Sequence, residues 1–179
     1  MARKGRVDFD TKAAAASIFA AIAEAQTKRL IAFAKKEIKS IGNDISVAPT
    51  KNNLDATGNL LDSLCWVVSY GGKVKDFGYY RTATASEDSH LHEYSRSIKQ
   101  SVNGHFLASQ FVASYTPTVT NGWEVAFAIL APYWGYWEKG HRGRSGTKQQ
   151  WSVMTRHYDV IRKAIPAGKT KFHTYVAKY

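Results

Sequence analysis

From Asp10 to Ile41 the chain offers one uninterrupted helical reading. Phe19, Ile22, Leu30, Phe33, Ile38 and Ile41 recur at roughly helical spacing, the pattern of one buried stripe on an α-helix. Gln26 and Glu37 are imperfections in that stripe. Asp10 or Thr11 can accept from the free N–H groups of the first turn, and Gly42 offers a left-handed stop. Some thirty residues make a rod of about 45 Å, long for a small domain. Part of such a helix is therefore expected to pack on something outside its own core.

The stripe needs a surface to lie on, and the rest of the sequence supplies strands. Residues 43–56 read as a loop, marked by Asn43-Asp44, Pro49 and Asn52-Asn53. A helical turn fits Gly58–Leu64, with Thr57 as its cap. Trp66, Val68 and Tyr70 then alternate with Val67 and Ser69, a strand ended by Gly71-Gly72. Val74, Phe77, Tyr79 and Tyr80 fit a second strand or hairpin arm. Leu91, Tyr94, Ile98 and Val102 have helical spacing, closed by Asn103-Gly104. Residues 73–118 as a whole read as an insertion decorating the fold. Thr116–Thr120 and Trp123–Ile129 flank Asn121-Gly122, a dipeptide suited to a type I′ hairpin because both residues tolerate positive φ. Trp123, Val125, Phe127 and Ile129 form a core face; Glu124, Ala126 and Ala128 form a second face that another layer can cover.

The C-terminal part adds a helix over 148–165, with Trp151, Met154, Tyr158, Ile161 and Ile165 as its apolar stripe and Pro166 as its end. Residues 167–179 read as an edge strand or a tail. These elements predict an α+β fold: an antiparallel sheet packed by a long N-terminal helix and a C-terminal amphipathic helix, with an inserted helical segment. The length of 179 residues suits one domain over 10–166, preceded by a flexible basic arm over 1–9.

Charge narrows the partners. Lys plus Arg number 25 against 14 Asp plus Glu, a formal net charge of +11. Such a balance favours anionic partners: nucleic acid, an anionic membrane surface or an acidic protein face. The helix lysines Lys35, Lys36 and Lys39, beside Lys28 and Arg29, form either an anion-binding face or a solvated one. The loop Gly140–Gly146 carries Arg142 and Arg144 between glycines; it is either a phosphate clamp or a solvent loop. No apolar run is long enough to predict a membrane span. Arg3, Lys4 and Arg6 precede an alanine-rich stretch, but Asp8, Asp10, Lys12 and Glu24 break a secretory-signal pattern.

Catalytic signatures are missing. There is no phosphate-binding glycine loop with its lysine, no dinucleotide fingerprint and no His-Glu-x-x-His. His90 and His92, near Asp88 and Glu93, are the only metal-like cluster, and a polar loop is the simpler account. Cys65 is the single cysteine and, between Leu64 and Trp66, reads as core. Neither an enzyme nor a cofactor is expected.

Two segments carry a resemblance. One is Asp55-Ala56-Thr57-Gly58-Asn59-Leu60-Leu61-Asp62-Ser63-Leu64; the other is Ala131-Pro132-Tyr133-Trp134-Gly135-Tyr136-Trp137-Glu138-Lys139-Gly140. Together they resemble the head–tail joining and tail-completion proteins of tailed bacteriophages. That family carries an Asp-Thr-Gly-x-Leu-x-x-Ser-Ile-like turn and later an Ala-x-Tyr-x-x-x-x-Glu-x-Gly segment, both after a long N-terminal helix. Ala56 splits the Asp-Thr-Gly triplet here, and Trp137 stands where the family has a small or aliphatic residue. The match falls on Asp55, Thr57, Gly58, Leu60, Ser63 and Leu64, and on Pro132, Tyr133, Tyr136, Glu138 and Gly140.

The resemblance implies a structural virion protein of the neck, assembled in the host cytoplasm. It implies a homo-oligomeric ring joining the portal side of the head to the tail, with other neck, tail and portal proteins as partners, possible contact with DNA and no membrane. Leu60 and Leu64 are expected to pin the first turn to the sheet. Glu138 is expected to accept hydrogen bonds or pair with a cation. Lys35, Lys36 and Lys39 are expected to meet protein neighbours, and Arg142 and Arg144 to become ordered on assembly. The alternative is a basic nucleic-acid-binding protein, with the arm, the helix lysines and the arginine loop on phosphates.

Overall fold

The computed structural model describes residues 11–46, 59–81, 103–131, 134, 141–142, 148–149, 153–164 and 170–176. Their elements are α1 (Thr11–Ser46), α2 (Asn59–Asp62), β1 (Leu64–Tyr70), β2 (Lys73–Tyr79), α3 (Gly104–Ser114), β3 (Trp123–Ile129), β4 (His141–Arg142), β5 (Lys148–Gln149), α4 (Val153–Ala164) and β6 (Thr170–Val176). The fold is α+β. A four-stranded sheet in the order β2-β1-β3-β6 carries α1 and α4 on one face and α3 on the other.

Helix α1 lays Leu30, Ala34, Ile38, Ile41 and Ile45 against Trp66, Val68, Val125 and Phe127. It does not stop at Gly42, as the glycine rule predicts, but runs on to Ser46. Gly42 is there for a close approach: a Cβ at this position would fall on the ring carbons of Tyr80. The Tyr80 ring is held in place from two sides. Its hydroxyl donates to Asn43 Oδ1 at 3.3 Å, and its backbone N–H donates to Leu64 O at 3.0 Å.

The β1–β2 hairpin turns through Gly71 (φ 62°) and Gly72 (φ 74°), the left-handed pair that a two-residue type I′ connection requires. Trp66 and Val68 face α1, whereas Cys65 lies beneath α3 with Ala108 and Ala128. Burial pushes the Cys65 thiol up to about 12.

Four further expectations are corrected. The sheet is mixed, not wholly antiparallel, because β6 runs parallel to β3. Parallel neighbours need a crossover of a dozen or more residues, and the segment containing α4 supplies it. The Asn121-Gly122 hairpin does not form, and Thr116–Thr120 is not a strand. Both edges of β3 are taken, by β1 and β6, and the backbone N–H groups of Thr118 and Val119 donate to the Glu124 carboxylate instead. Asn103-Gly104 opens a helix rather than closing one: Asn103 Oδ1 accepts from Phe106 N at 2.8 Å as the cap of α3. The preceding stripe over Leu91–Val102 lies outside the described residues.

The fourth correction concerns the C-terminal helix. It begins at Val153, while Lys148-Gln149 pairs with His141-Arg142 as β5 and β4. Its buried face is Val153, Met154, His157 and Ile161, and Tyr158 is exposed. The stripe turns by one residue because His157 reaches carboxylates of α1. Trp151, Ile165 and Pro166 lie outside the described residues, as does the arm over 1–9. The edge-strand alternative for the C-terminus holds, with β6 at the end of the sheet.

Candidate functional site

The two resembling segments meet at one serine. Ser63, fully buried just after α2, donates its hydroxyl to Leu60 O at 2.7 Å. The same oxygen accepts from Leu130 N at 3.2 Å and Ala131 N at 3.0 Å. It thereby closes the end of α2 and fixes the point where the chain leaves β3. Ala131 O in turn accepts from Trp134 N at 3.0 Å, and the Trp134 ring is fully buried in the α1 core. Leu60 and Leu64, expected to pin this turn, are fully buried in the same core. Asp55, Thr57, Gly58, Pro132, Tyr133, Tyr136, Glu138, Gly140 and Arg144 lie outside the described residues. So do His90 and His92, and of Arg142 only the backbone, in β4, is described.

The basic face of α1 divides. Lys35 is engaged within the chain: its ammonium lies 3.2 Å from Asp76 Oδ2 and 5.8 Å from the centre of the Trp66 ring. Lys28 pairs with Glu24 at 2.6 Å, one turn earlier. Lys36 and Lys39 are exposed.

Two buried polar clusters escaped the sequence reading. Glu37, an imperfection in the α1 stripe, is buried and meets His157 Nδ1 at 2.5 Å. His157 Nε2 faces Asp44 Oδ2 at 3.2 Å, and Arg156 approaches the same Asp44 oxygen at 3.8 Å. Both imidazole nitrogens thus face carboxylates of α1, and the cluster fastens α4 to α1. An acidic residue inside an apolar stripe was the available signal, since a buried carboxylate needs a partner.

The second cluster centres on Glu124, which is 1 % exposed. One carboxylate oxygen accepts from the Tyr115 hydroxyl. The other accepts from Thr118 N at 2.8 Å, Thr118 Oγ1 at 3.0 Å and Val119 N at 2.9 Å. Burial pushes this carboxyl up, but these hydrogen bonds outweigh it and hold the group below the ordinary glutamate value. Burial, then the bond to Glu124, raises the Tyr115 phenol. The bonds fold residues 115–119 back over the sheet, where Val119 O accepts from Gly72 N at 3.0 Å. Among the described residues, no group of three or more His, Cys, Asp or Glu side chains is placed to hold a metal ion.

One surface stands apart from these networks. Trp123 Nε1 donates to Thr27 Oγ1 at 3.0 Å, and upstream of Ala23 every described residue of α1 is exposed. Ile18, Phe19 and Ile22 are 60 %, 71 % and 57 % exposed. No protein-family model, curated protein or solved structure matches the chain.

Proposed function

We propose that this chain is a structural protein of the tailed-bacteriophage neck, forming an oligomeric ring that connects the portal side of the head to the tail. The observation that carries the reading is the Ser63 junction. It ties Ser63 of the first segment to Ala131, the first residue of the second, the two segments whose sequences resemble the joining and tail-completion proteins. The free end of α1 supports it as well, since a helix that outruns its sheet with Ile18, Phe19 and Ile22 exposed is suited to assembly. Among the described residues no helix is long and apolar enough to cross a membrane.

The test is genetic. A nonsense codon early in the gene should leave filled heads and finished tails that do not join, and supplying the chain in trans should restore infectious particles. Normal particles without the chain would overturn the proposal.

The net charge of +11 and the exposed Lys36 and Lys39 favour a second reading, a nucleic-acid-binding protein. That reading requires strong binding to random duplex that weakens steeply with salt.

A further inference from the structure

Charge is shared unevenly between the two faces of the sheet. The segment 104–123, which holds α3, contains no Lys, Arg, Asp or Glu. Helix α1, on the opposite face, carries Lys28, Lys35 and Lys39, seven and four residues apart. That spacing puts them on one flank of the helix, in a row of about 16 Å. The flank is turned to β2, because Lys35 reaches Asp76 at 3.2 Å.

Strand β2 adds two lysines to the same side. Lys73 pairs with Tyr70 and Asp76 with Val68, and cross-strand partners share a face, here the one that Val68 lays against α1. A register shift between Val68 and Ser69 admits Lys75 without turning it away: its ammonium lies 6.0 Å from the centre of the Tyr70 ring. α1 and β2 run side by side in the same direction. Trp123, whose ring lies 4.7 Å from that of Tyr70, bonds Thr27; Asp76 meets Lys35; Tyr80 lies against Gly42. Exposed Lys28, Lys35, Lys39, Lys73 and Lys75 therefore border one seam, against only Glu24 and Asp76 as carboxylates paired there. Both of those ion pairs are at the surface, where they contribute little and give way to a competing anion. Protection of the β2 edge accounts for Lys73 and Lys75, but not for the row on α1 that meets them.

We propose that the seam between α1 and β2 binds the phosphate backbone of double-stranded nucleic acid through these five lysines, without reading sequence. Ammonium groups act as point charges on phosphates, and lysine is depleted from protein interfaces, which favours a duplex over an acidic protein face. Single strands are held by stacking bases on bare aromatic rings. Here Trp66 is buried beneath α1 and Lys75 lies over Tyr70. The assignment moves Lys35 and Lys39 from the protein neighbours expected of them to DNA. It rests on the second, nucleic-acid reading and gives it a location; the ring reading stands or falls separately.

The test compares equal losses of charge at different places. Binding of the full chain to a short random-sequence duplex, to a single strand of the same length and to polyglutamate is measured by fluorescence anisotropy between about 50 and 200 mM salt. One variant combines Lys73→Gln with Lys75→Gln in the seam. The other combines Arg162→Gln with Lys163→Gln, both exposed on α4. Circular dichroism checks folding, and Lys28→Gln with Lys39→Gln repeats the test from the helix side if the β2 pair does not fold. Wild type should bind the duplex more tightly than the single strand. The seam variant should bind it about tenfold more weakly, with a slope of log K against log salt shallower by about two. The α4 variant should stay close to wild type, and Asp76→Asn, which removes an anion from the seam, should bind more tightly. Equal losses in the seam and α4 variants would overturn the seam and leave the nucleic-acid reading standing. Absence of duplex binding at the lowest salt would overturn both, and binding to polyglutamate alone would give the seam to an acidic protein instead.

Discussion

Glu124→Gln isolates what one buried charge contributes to this fold. The carboxylate accepts from Tyr115, Thr118 N, Thr118 Oγ1 and Val119 N. A glutamine keeps the size and can keep every contact, with its oxygen toward Thr118 and Val119 and its amide donating to the Tyr115 hydroxyl. What it loses is charge. Hydrogen bonds to a charged group contribute about 1 kcal/mol more than neutral ones, so three bonds to one oxygen put the cost at about 2–3 kcal/mol. For a chain of this size that lowers Tm by about 5–10 °C. Glu124→Leu should cost more, about 4 kcal/mol, because the Thr118 and Val119 N–H groups and the Tyr115 hydroxyl then stay buried without an acceptor. Urea unfolding followed by tryptophan fluorescence measures both. The pH dependence adds a sign. A carboxyl held below its ordinary value contributes stability above that value, 4.5, and loses it as pH falls through the folded-state value. The gap between wild type and Glu124→Gln should therefore be full at pH 7 and narrow toward pH 3. Equal stability of wild type and both variants at pH 7, or a gap that widens in acid, would refute the reasoning.

Other expectations follow from the same contacts. Gly42→Ala should destabilise by about 1–3 kcal/mol, because the new methyl meets the Tyr80 ring. Combined with Tyr80→Ala the sign should reverse, toward the helix-propensity gain of about 1 kcal/mol; thermal melts of the four proteins decide it. Ser63→Ala should cost about 2 kcal/mol or more by removing the acceptor for Leu130 and Ala131 N–H, read by urea unfolding. Glu37→Leu should cost about 3 kcal/mol by leaving His157 without its nearest partner. Glu37→Leu with His157→Leu should cost less than the two single changes added, a comparison a double-mutant cycle makes directly. Native Cys65, buried with its thiol pushed up to about 12, should resist alkylation at pH 8 and react fully in urea.

Patterns with a strong period survived the comparison between sequence and structure. Leu30, Ile38 and Ile41 of the α1 stripe, the β1 alternation and the Gly71-Gly72 turn are local consequences of spacing and backbone freedom, and each was legible, whereas Phe19 and Ile22, read into the same stripe, are exposed. The departures have tertiary causes. Gly42 looked like a stop, yet the residue that requires its bareness, Tyr80, is far along the chain. Asn121-Gly122 carries the chemistry of a hairpin, but Glu124 collects the N–H groups its first strand would have used, and β6 takes the edge of β3. His157 displaced Tyr158 from the buried face of α4 because Glu37 and Asp44 sit opposite. A parallel β6 could not be read from alternation, since side-chain period does not distinguish strand direction. Of the resembling segments, Leu60 and Ser63 lie in and just after the expected turn, while Leu64 opens β1 instead; all three are buried. The link from Ser63 to Ala131 was not legible, since no spacing rule reports a serine bonding across two segments.

The central claim is that copies of this chain form a ring at the head–tail junction. A reconstruction of the particle that carries it, with α1 and the sheet fitted as a rigid unit, tests that claim most directly. The account predicts several symmetry-related copies around the tail axis between portal and tail. A chain absent from the junction, or present as one off-axis copy, would contradict it.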